Sequence, residues 1–237
     1  MLMMTLIGML ASAATVSLIA KSLREYNITK SVIDPVCNYS QRVDSDRSLT
    51  HFNQVMVSTS GSQLLPEDAT KTLIHELLPV AYLVTPNIPE ANLIMREAGK
   101  TTHEVQDLDG LKQLAKAILE LGPEYVLLKG GHLPLSKQRK VAMNEDDKEI
   151  VTNVLVSRNG DVEVVEVPFQ RSKNTHGTGC SLASAIACNL AKDDDVKKAV
   201  RSACRYVEAA IKTSPNLGKG SGPLNHFHSL QVLPFSL

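Results

Sequence analysis

Asn174-Thr175-His176-Gly177-Thr178-Gly179-Cys180 leads without a break into Ser181-Leu182-Ala183-Ser184-Ala185-Ile186-Ala187, a run of small and apolar residues that predicts a helix. Glycines just ahead of a helix leave backbone N–H groups free to face an anion. The helix dipole adds partial positive charge at the same point. Cys180 falls in the first turn, beside any group held there, where a thiol can serve as a base. One short segment can therefore hold a phosphoryl group and the residue that takes a proton next to it. The spacing alone also fits a Gly-capped helix with a buried cysteine.

The preceding residues read as a β-hairpin: Glu149–Ser157 and Asp161–Pro168 flank Asn159-Gly160, which predicts a two-residue primed turn. Further back, Tyr125–Leu128 predicts a strand delivering Lys129-Gly130-Gly131-His132. Lys129 can meet a phosphate and the glycines permit close backbone approach; His132 reads as a solvated loop residue. Leu111, Leu114, Ala115, Ile118 and Leu119 give Leu108–Leu121 a helical stripe that Gly122-Pro123 ends. The charged stretch 133–149 reads as a mobile cover. After the central motif, Asp193-Asp194-Asp195 caps a helix from Val196 to about Thr213, with Val200, Cys204, Val207, Ala210 and Ile211 inward. Cys204 and Cys188 are expected in the core. Gly218–Gly222, containing Lys219, reads as a flexible loop.

Toward the start, residues 1–20 carry no charge. With no basic stretch before the apolar run, and with Gly8, Ser12, Thr15 and Ser17 diluting it, a signal peptide or membrane anchor is not expected. Met3–Leu10 predicts a buried strand, and Ser12 caps a helix whose Val16, Ile19, Ala20 and Leu23 share a face. Ser31–Asp34 is a short strand ending in a carboxylate. Pro66 and Glu67 open a helix to about Leu78, and Ala81–Thr85 is a buried strand. Asn87 and Glu90 sit at the following strand-to-helix junction, where a polar cap and an early Glu complement the dipole. Strands alternating with helices predict an α/β fold with a mostly parallel sheet.

The chain of 237 residues balances 25 Lys and Arg against 25 Asp and Glu, which leaves no electrostatic case for nucleic acid or an acidic membrane surface. It has no Trp, so a base-stacking platform is not expected. Cys37, Cys180, Cys188 and Cys204 show no Cys-x-x-Cys pair, which fits a reducing, cytoplasmic setting.

Six ordered segments join the central motif: Ile7-Gly8-Met9-Leu10, Asp34-Pro35-Val36, Val55-Met56-Val57-Ser58-Thr59-Ser60-Gly61, Thr85-Pro86-Asn87-Ile88-Pro89-Glu90-Ala91, Leu128-Lys129-Gly130-Gly131-His132 and Gly220-Ser221-Gly222-Pro223-Leu224-Asn225-His226. Together they resemble the hydroxymethylpyrimidine and phosphomethylpyrimidine kinases of thiamine biosynthesis, within the ribokinase superfamily. The resemblance implies a ribokinase-like three-layer α/β/α sandwich over residues 1–237. It also implies ATP and Mg²⁺ as cofactors, and phosphoryl transfer to the hydroxymethyl group of the pyrimidine and then to its monophosphate. By this resemblance Cys180 is the base, where most of the superfamily has aspartate. Gly177, Thr178 and Gly179 form the anion hole, Asp34 and Glu90 serve Mg²⁺, and Met9 lies against the pyrimidine. Lys129, Gly130, Thr175 and Lys219 serve the nucleotide, and relatives of this fold often pair as homodimers.

Two departures stand out. The family's opening strand, its Gly-rich substrate loop and its pyrimidine-reading polar residue have no counterpart ahead of Met9, so the domain is expected to lack its N-terminal section. Residues 36–54 also interrupt the family pattern, and removing them restores Asp-Pro-Val-Met-Val-Ser-Thr-Ser-Gly without a seam. This polar stretch reads as a translated intron or as a surface-loop insertion. Some fungal relatives continue into a thiaminase-like domain. The alternatives are a non-catalytic remnant that partners an intact paralogue, and another small-alcohol kinase of the fold such as hydroxyethylthiazole kinase.

Overall fold

The computed structural model describes residues 4–8, 10–35, 66–102, 104–192, 195–220 and 222–230. Met9, the 36–54 insertion, Cys37, Ser58–Gly61, Asp193 and Asp194 lie outside these residues.

Six strands form one sheet in sequential order: β1 (Met4–Gly8), β2 (Lys30–Asp34), β3 (Leu83–Val84), β4 (Tyr125–Leu128), β5 (Ile150–Ser157) and β6 (Val162–Pro168). The first four run parallel, β5 is antiparallel to β4, and β6 is antiparallel to β5. Alternate side chains of each strand enter opposite layers, as the two-residue period of a strand requires. Ile33, Val84, Val126 and Leu128 pack with α1 (Ala13–Glu25), α2 (Glu67–Thr72), α3 (Ile88–Glu97) and α4 (Leu108–Leu119). Val32, Leu83, Leu127 and Leu155 pack instead against α5 (Thr178–Ala191) and α6 (Val196–Lys212). The result is the three-layer arrangement expected.

Local signals act where the sequence puts them. Ser12 caps α1 by accepting from Thr15 N–H at 3.2 Å, and Asp107 caps α4 by accepting from Gly110 N–H at 2.9 Å. Asp195 caps α6, accepting from Lys198 N–H at 3.0 Å. No helix among the described residues is long and apolar enough to cross a membrane.

The first strand is not the buried strand expected: β1 lies at the end of the sheet, paired among the described residues only with β2, so Leu6 is 44% exposed and Ile7 is its one buried residue. Four other expectations change. The helix that begins at Glu67 does not stay α-helical to Leu78. It widens to a π turn over Leu73–Leu77 and tightens to a 3₁₀ turn at Leu78–Val80, where Pro79 supplies no N–H to continue it. The hairpin is present, but a two-residue primed turn on Asn159-Gly160 needs positive φ at Asn159, and in type I′ at both residues. Only Gly160 has it, at 93°, and the loop closes through Ser157 N–H to Asp161 O at 3.0 Å. The 133–149 stretch is pinned, not free. Leu135 is fully buried, and its N–H and C=O bond to Ile150 O and to Glu149 N–H.

Cys188 is the fourth. It is exposed, because Leu182, Ala183, Ile186, Ala187 and Leu190 form the inward face of α5 and Cys188 points off it. Cys204 is buried as expected, and burial pushes its thiol up to about 12. Since the thiolate is the reactive form, brief alkylation at neutral pH is expected to modify Cys180 and Cys188 and to spare Cys204 until the chain is denatured. Peptide mass mapping checks this, and early labelling of Cys204 would contradict the packing of α6.

Candidate active site

The four parallel strands end at one edge of the sheet, where open α/β folds place their ligands. Asp34 ends β2, Thr85 follows β3 and Lys129 follows β4. The order β2-β3-β4 brings these three side chains together. Lys129 Nζ donates to Asp34 Oδ1 at 2.7 Å, and Thr85 Oγ1 donates to the same oxygen at 2.8 Å. Asp34 is 3% exposed and Thr85 fully buried.

Because β6 runs in the direction of β4, its end at Pro168 reaches this edge too. The chain then passes along it to α5. Gly177 takes φ 84°, a left-handed conformation that favours glycine. No side chain caps α5. Thr178 N–H donates back to Thr175 O at 3.4 Å, and the N–H groups that follow it, with the positive end of the helix dipole, lie in the turn beside Lys129. A Cβ on Gly179 would fall 3.3 Å from Lys129 Nζ, so the ammonium lies between Asp34 and the first turn of α5. Cys180, in that turn, is exposed and not buried as the Gly-capped alternative required.

Gly130 is fixed by contact. A Cβ there would sit 1.9 Å from the carbonyl oxygen of Thr152, and Gly130 N–H donates to Asn153 Oδ1 at 3.2 Å. Asn153 in turn donates to Cys204 Sγ at 3.5 Å, tying the turn after β4 to α6. The ring of His132 retains solvent contact, yet desolvation by the surrounding chain and then the charge of Lys129 lower its pKa below the usual imidazole range.

Glu90 follows the capping reading. Asn87 Oδ1 accepts from Glu90 N–H, and Glu90 Oε2 accepts from Asn87 N–H, both at 2.8 Å. As a donor set for a hard cation, the edge offers carboxylate oxygens. Asp34 Oδ1 is shared by Lys129 and Thr85, while Oδ2 receives no hydrogen bond among the described residues. No cluster of three His, Cys, Asp or Glu occurs among those residues. Such a sparse set fits Mg²⁺, which keeps several of its waters.

Beside the turn, Gln170, Arg171, Lys173, Asn174, Ser214 and Asn216 line an open polar cavity of about 560 Å³. Thr175 is exposed at its margin, and Lys219 is exposed on the 218–220 segment, which Lys173 Nζ holds through Gly218 O at 2.8 Å. Of the residues singled out from the sequence, Asp34, Lys129, Gly130 and Gly177–Cys180 converge on one edge. Thr175 and Lys219 do not line the adjoining cavity; Thr175 follows Asn174, which does, and Lys219 follows Gly218, which Lys173 holds. Thr85, Asn153 and Asn174 were not anticipated; Thr85 and Asn153 are polar residues inside apolar strand stretches, while Asn174 lies among polar neighbours that give it no local signal.

A family model described as phosphomethylpyrimidine kinase matches residues 50–225. The chain is similar to a Schizosaccharomyces pombe protein named as a hydroxymethylpyrimidine/phosphomethylpyrimidine kinase, 35% identical over 230 residues, covering 97% of this chain and 38% of the other. It is also 35% identical over 226 residues to the hydroxymethylpyrimidine/phosphomethylpyrimidine kinase of Rhizobium meliloti, covering 94% and 70% of the two chains. This chain thus spans well under half the length of the first relative. Among solved structures, an ADP complex of Bacillus subtilis pyridoxal kinase matches with a TM-score of 0.68 at 28% identity, over 94% of this chain and 69% of that one. The fold is the ribokinase-like α/β sandwich expected.

Proposed function

This chain belongs to the phosphomethylpyrimidine kinase family, and from that premise we propose that it transfers the γ-phosphoryl group of ATP to 4-amino-5-hydroxymethyl-2-methylpyrimidine and then to its monophosphate. The observation that carries the reading is the uncapped glycine turn opening α5 with the Lys129 ammonium beside Gly179. Phosphoryl transfer asks a protein mainly to position its reactants and to stabilise charge on the transferring group. The turn supplies N–H donors for that charge. Cys180 takes the proton of the hydroxymethyl group, whose oxygen attacks the γ-phosphorus while the bond to ADP breaks.

Lys129 contacts the transferring phosphate from its place beside Asp34. The base and ribose of ATP lie in the polar cavity, served by Thr175 and Lys219. Asp34, and Glu90 through water, would hold Mg²⁺, which when bound would supply positive charge against the nucleotide phosphates. Met9 meets the pyrimidine. A small-molecule substrate and the lack of any membrane-spanning helix among the described residues accord with a cytoplasmic enzyme, and a homodimer accords with the fold.

Incubation with γ-labelled ATP and the pyrimidine tests this. Labelled monophosphate, then diphosphate, is the expected result. Nucleotide binding without any transfer, and without pyrimidine binding, would favour the remnant reading, which the partial coverage of relatives makes worth separating.

Glu90 permits a sharper test, because a capping box accepts Gln as well as Glu. Glu90→Gln keeps the cap and removes the charge. Thermal stability is expected to stay at the wild-type value while the Mg²⁺ concentration needed for half-maximal ATP binding rises severalfold. An unchanged Mg²⁺ requirement would leave Glu90 with capping alone.

A further inference from the structure

Residues 213–220 and 222–224, which follow α6, form a strap whose attachments the catalytic reading does not use. Its base is closed by Asn225, whose N–H donates to Ala210 O at 3.0 Å and whose Nδ2 reaches Thr213 O and Oγ1 at 3.3 and 3.2 Å. Its far side meets the approach to α5, where His176 and Pro223 form a parallel bridge. Between these points lies Asn174, 1% exposed. Its Nδ2 donates to Ser214 Oγ at 2.9 Å and to Asn216 Oδ1 at 2.8 Å, and Ser214 Oγ donates onward to Ile211 O at 2.7 Å. Both amide protons are thus committed to the strap. On the opposite side a Cβ at Gly222 would fall 1.9 Å from Asn174 Oδ1, so only glycine lets the strap close there.

We propose that Asn174 is a positioning residue that latches the 213–224 strap to the segment leading into the anion-binding turn, and so sets the width of the nucleotide cavity. This rests on the kinase reading for its ligand, but the latch itself does not. Asn174 stands three residues before Gly177, and Ser214 and Asn216 form the facing wall of the same cavity. Asn174 ties to the strap through its two Nδ2 hydrogen bonds, while its buried Oδ1, facing Gly222, has no hydrogen-bond partner among the described residues; loss of the Nδ2 bonds leaves the strap more arrangements. Asn174 touches no reacting atom in this scheme. Its loss should therefore weaken nucleotide capture and leave the rate from the bound complex largely intact.

The test uses the whole chain and three measurements: equilibrium binding of Mg-ATP, the rate at saturating ATP, and amide hydrogen exchange across 213–224 without nucleotide. For Asn174→Ala the expected result is ATP binding weakened by roughly tenfold, the scale of one buried hydrogen-bonding group, with the saturated rate little changed and exchange faster in the strap but not in β2–β4. Gly222→Ala, which presses on the latch without altering Asn174, should show the same split. The double variant Asn174→Ala with Ser214→Ala should weaken ATP binding by less than the product of the two single effects, since both remove the Asn174–Ser214 bond, while Asn174→Ala also loses Asn216 and Ser214→Ala also loses Ile211 O. Unchanged strap exchange in both single variants overturns the proposal, as does a loss confined to the saturated rate. If Asn174→Ala fails to fold, Gly222→Ala and Ser214→Ala decide the matter by the same exchange pattern. If the wild-type chain binds no ATP, the kinase reading falls, while strap exchange still decides whether Asn174 is the latch.

Discussion

Lys129→Met is expected to lower the unfolding free energy by about 3–5 kcal/mol, the usual cost of removing one partner from a buried ion pair. The Asp34 side chain is 4% exposed and that of Lys129 13%. Taking away the ammonium leaves a carboxylate enclosed by protein, with Thr85 Oγ1 as its remaining donor among the described residues. Most of the loss comes from that stranded charge, not from the attraction itself. The double variant Lys129→Met with Asp34→Asn should therefore recover much of the stability, because Asn can still accept from Thr85 and carries no charge. Recovery of ATP binding is not expected, since the cation beside the anion turn is gone. Urea midpoints for the wild type, both single variants and the double variant form the cycle. A Lys129→Met chain as stable as the wild type would mean that the carboxylate reaches water, and the ion pair would lose its structural meaning.

The pair also marks where sequence reasoning stops. Asp34 and Lys129 were each legible as strand-ending residues suited to phosphate or metal chemistry, but 95 residues separate them. Their partnership depends on a single short strand, β3, lying between β2 and β4, and nothing local to either residue states that order. By contrast α1, α4, α5 and α6 were readable, because helical period and capping residues act within a few positions of each other. The Asn-Gly turn was half legible: the dipeptide marks a hairpin, while the loop length is chosen by how β5 and β6 register against β4. Cys188 misled because one residue's shift on a helix moves a side chain by about 100°, from the core to solvent. Glu90 was ambiguous in the sequence for a physical reason. A carboxylate at a helix start serves the cap and a cation with the same oxygens.

Cys180→Ala should lower turnover by about 10²–10⁴-fold, the contribution of a positioned general base, with Mg-ATP binding close to that of the wild type. The separation follows from the geometry. In the proposed scheme the donors to the nucleotide phosphates are backbone N–H groups of the turn and the Lys129 ammonium beside Gly179, and neither depends on the side chain at position 180. Cys180 is exposed, so alanine there opens no cavity in the core and should not disturb folding. What is lost is a group able to take a proton from the acceptor hydroxyl. Cys180→Asp then asks whether any base suffices, since aspartate stands at this position in most of the superfamily that the motif resembles. It should restore part of the turnover lost in the alanine variant, whereas Cys180→Ser, a far weaker base, should not. Single-turnover measurements with saturating ATP isolate the chemical step from product release. Full activity in Cys180→Ala would remove the thiol from the reaction and leave the glycine turn, with Lys129, as a phosphate site whose base must come from elsewhere.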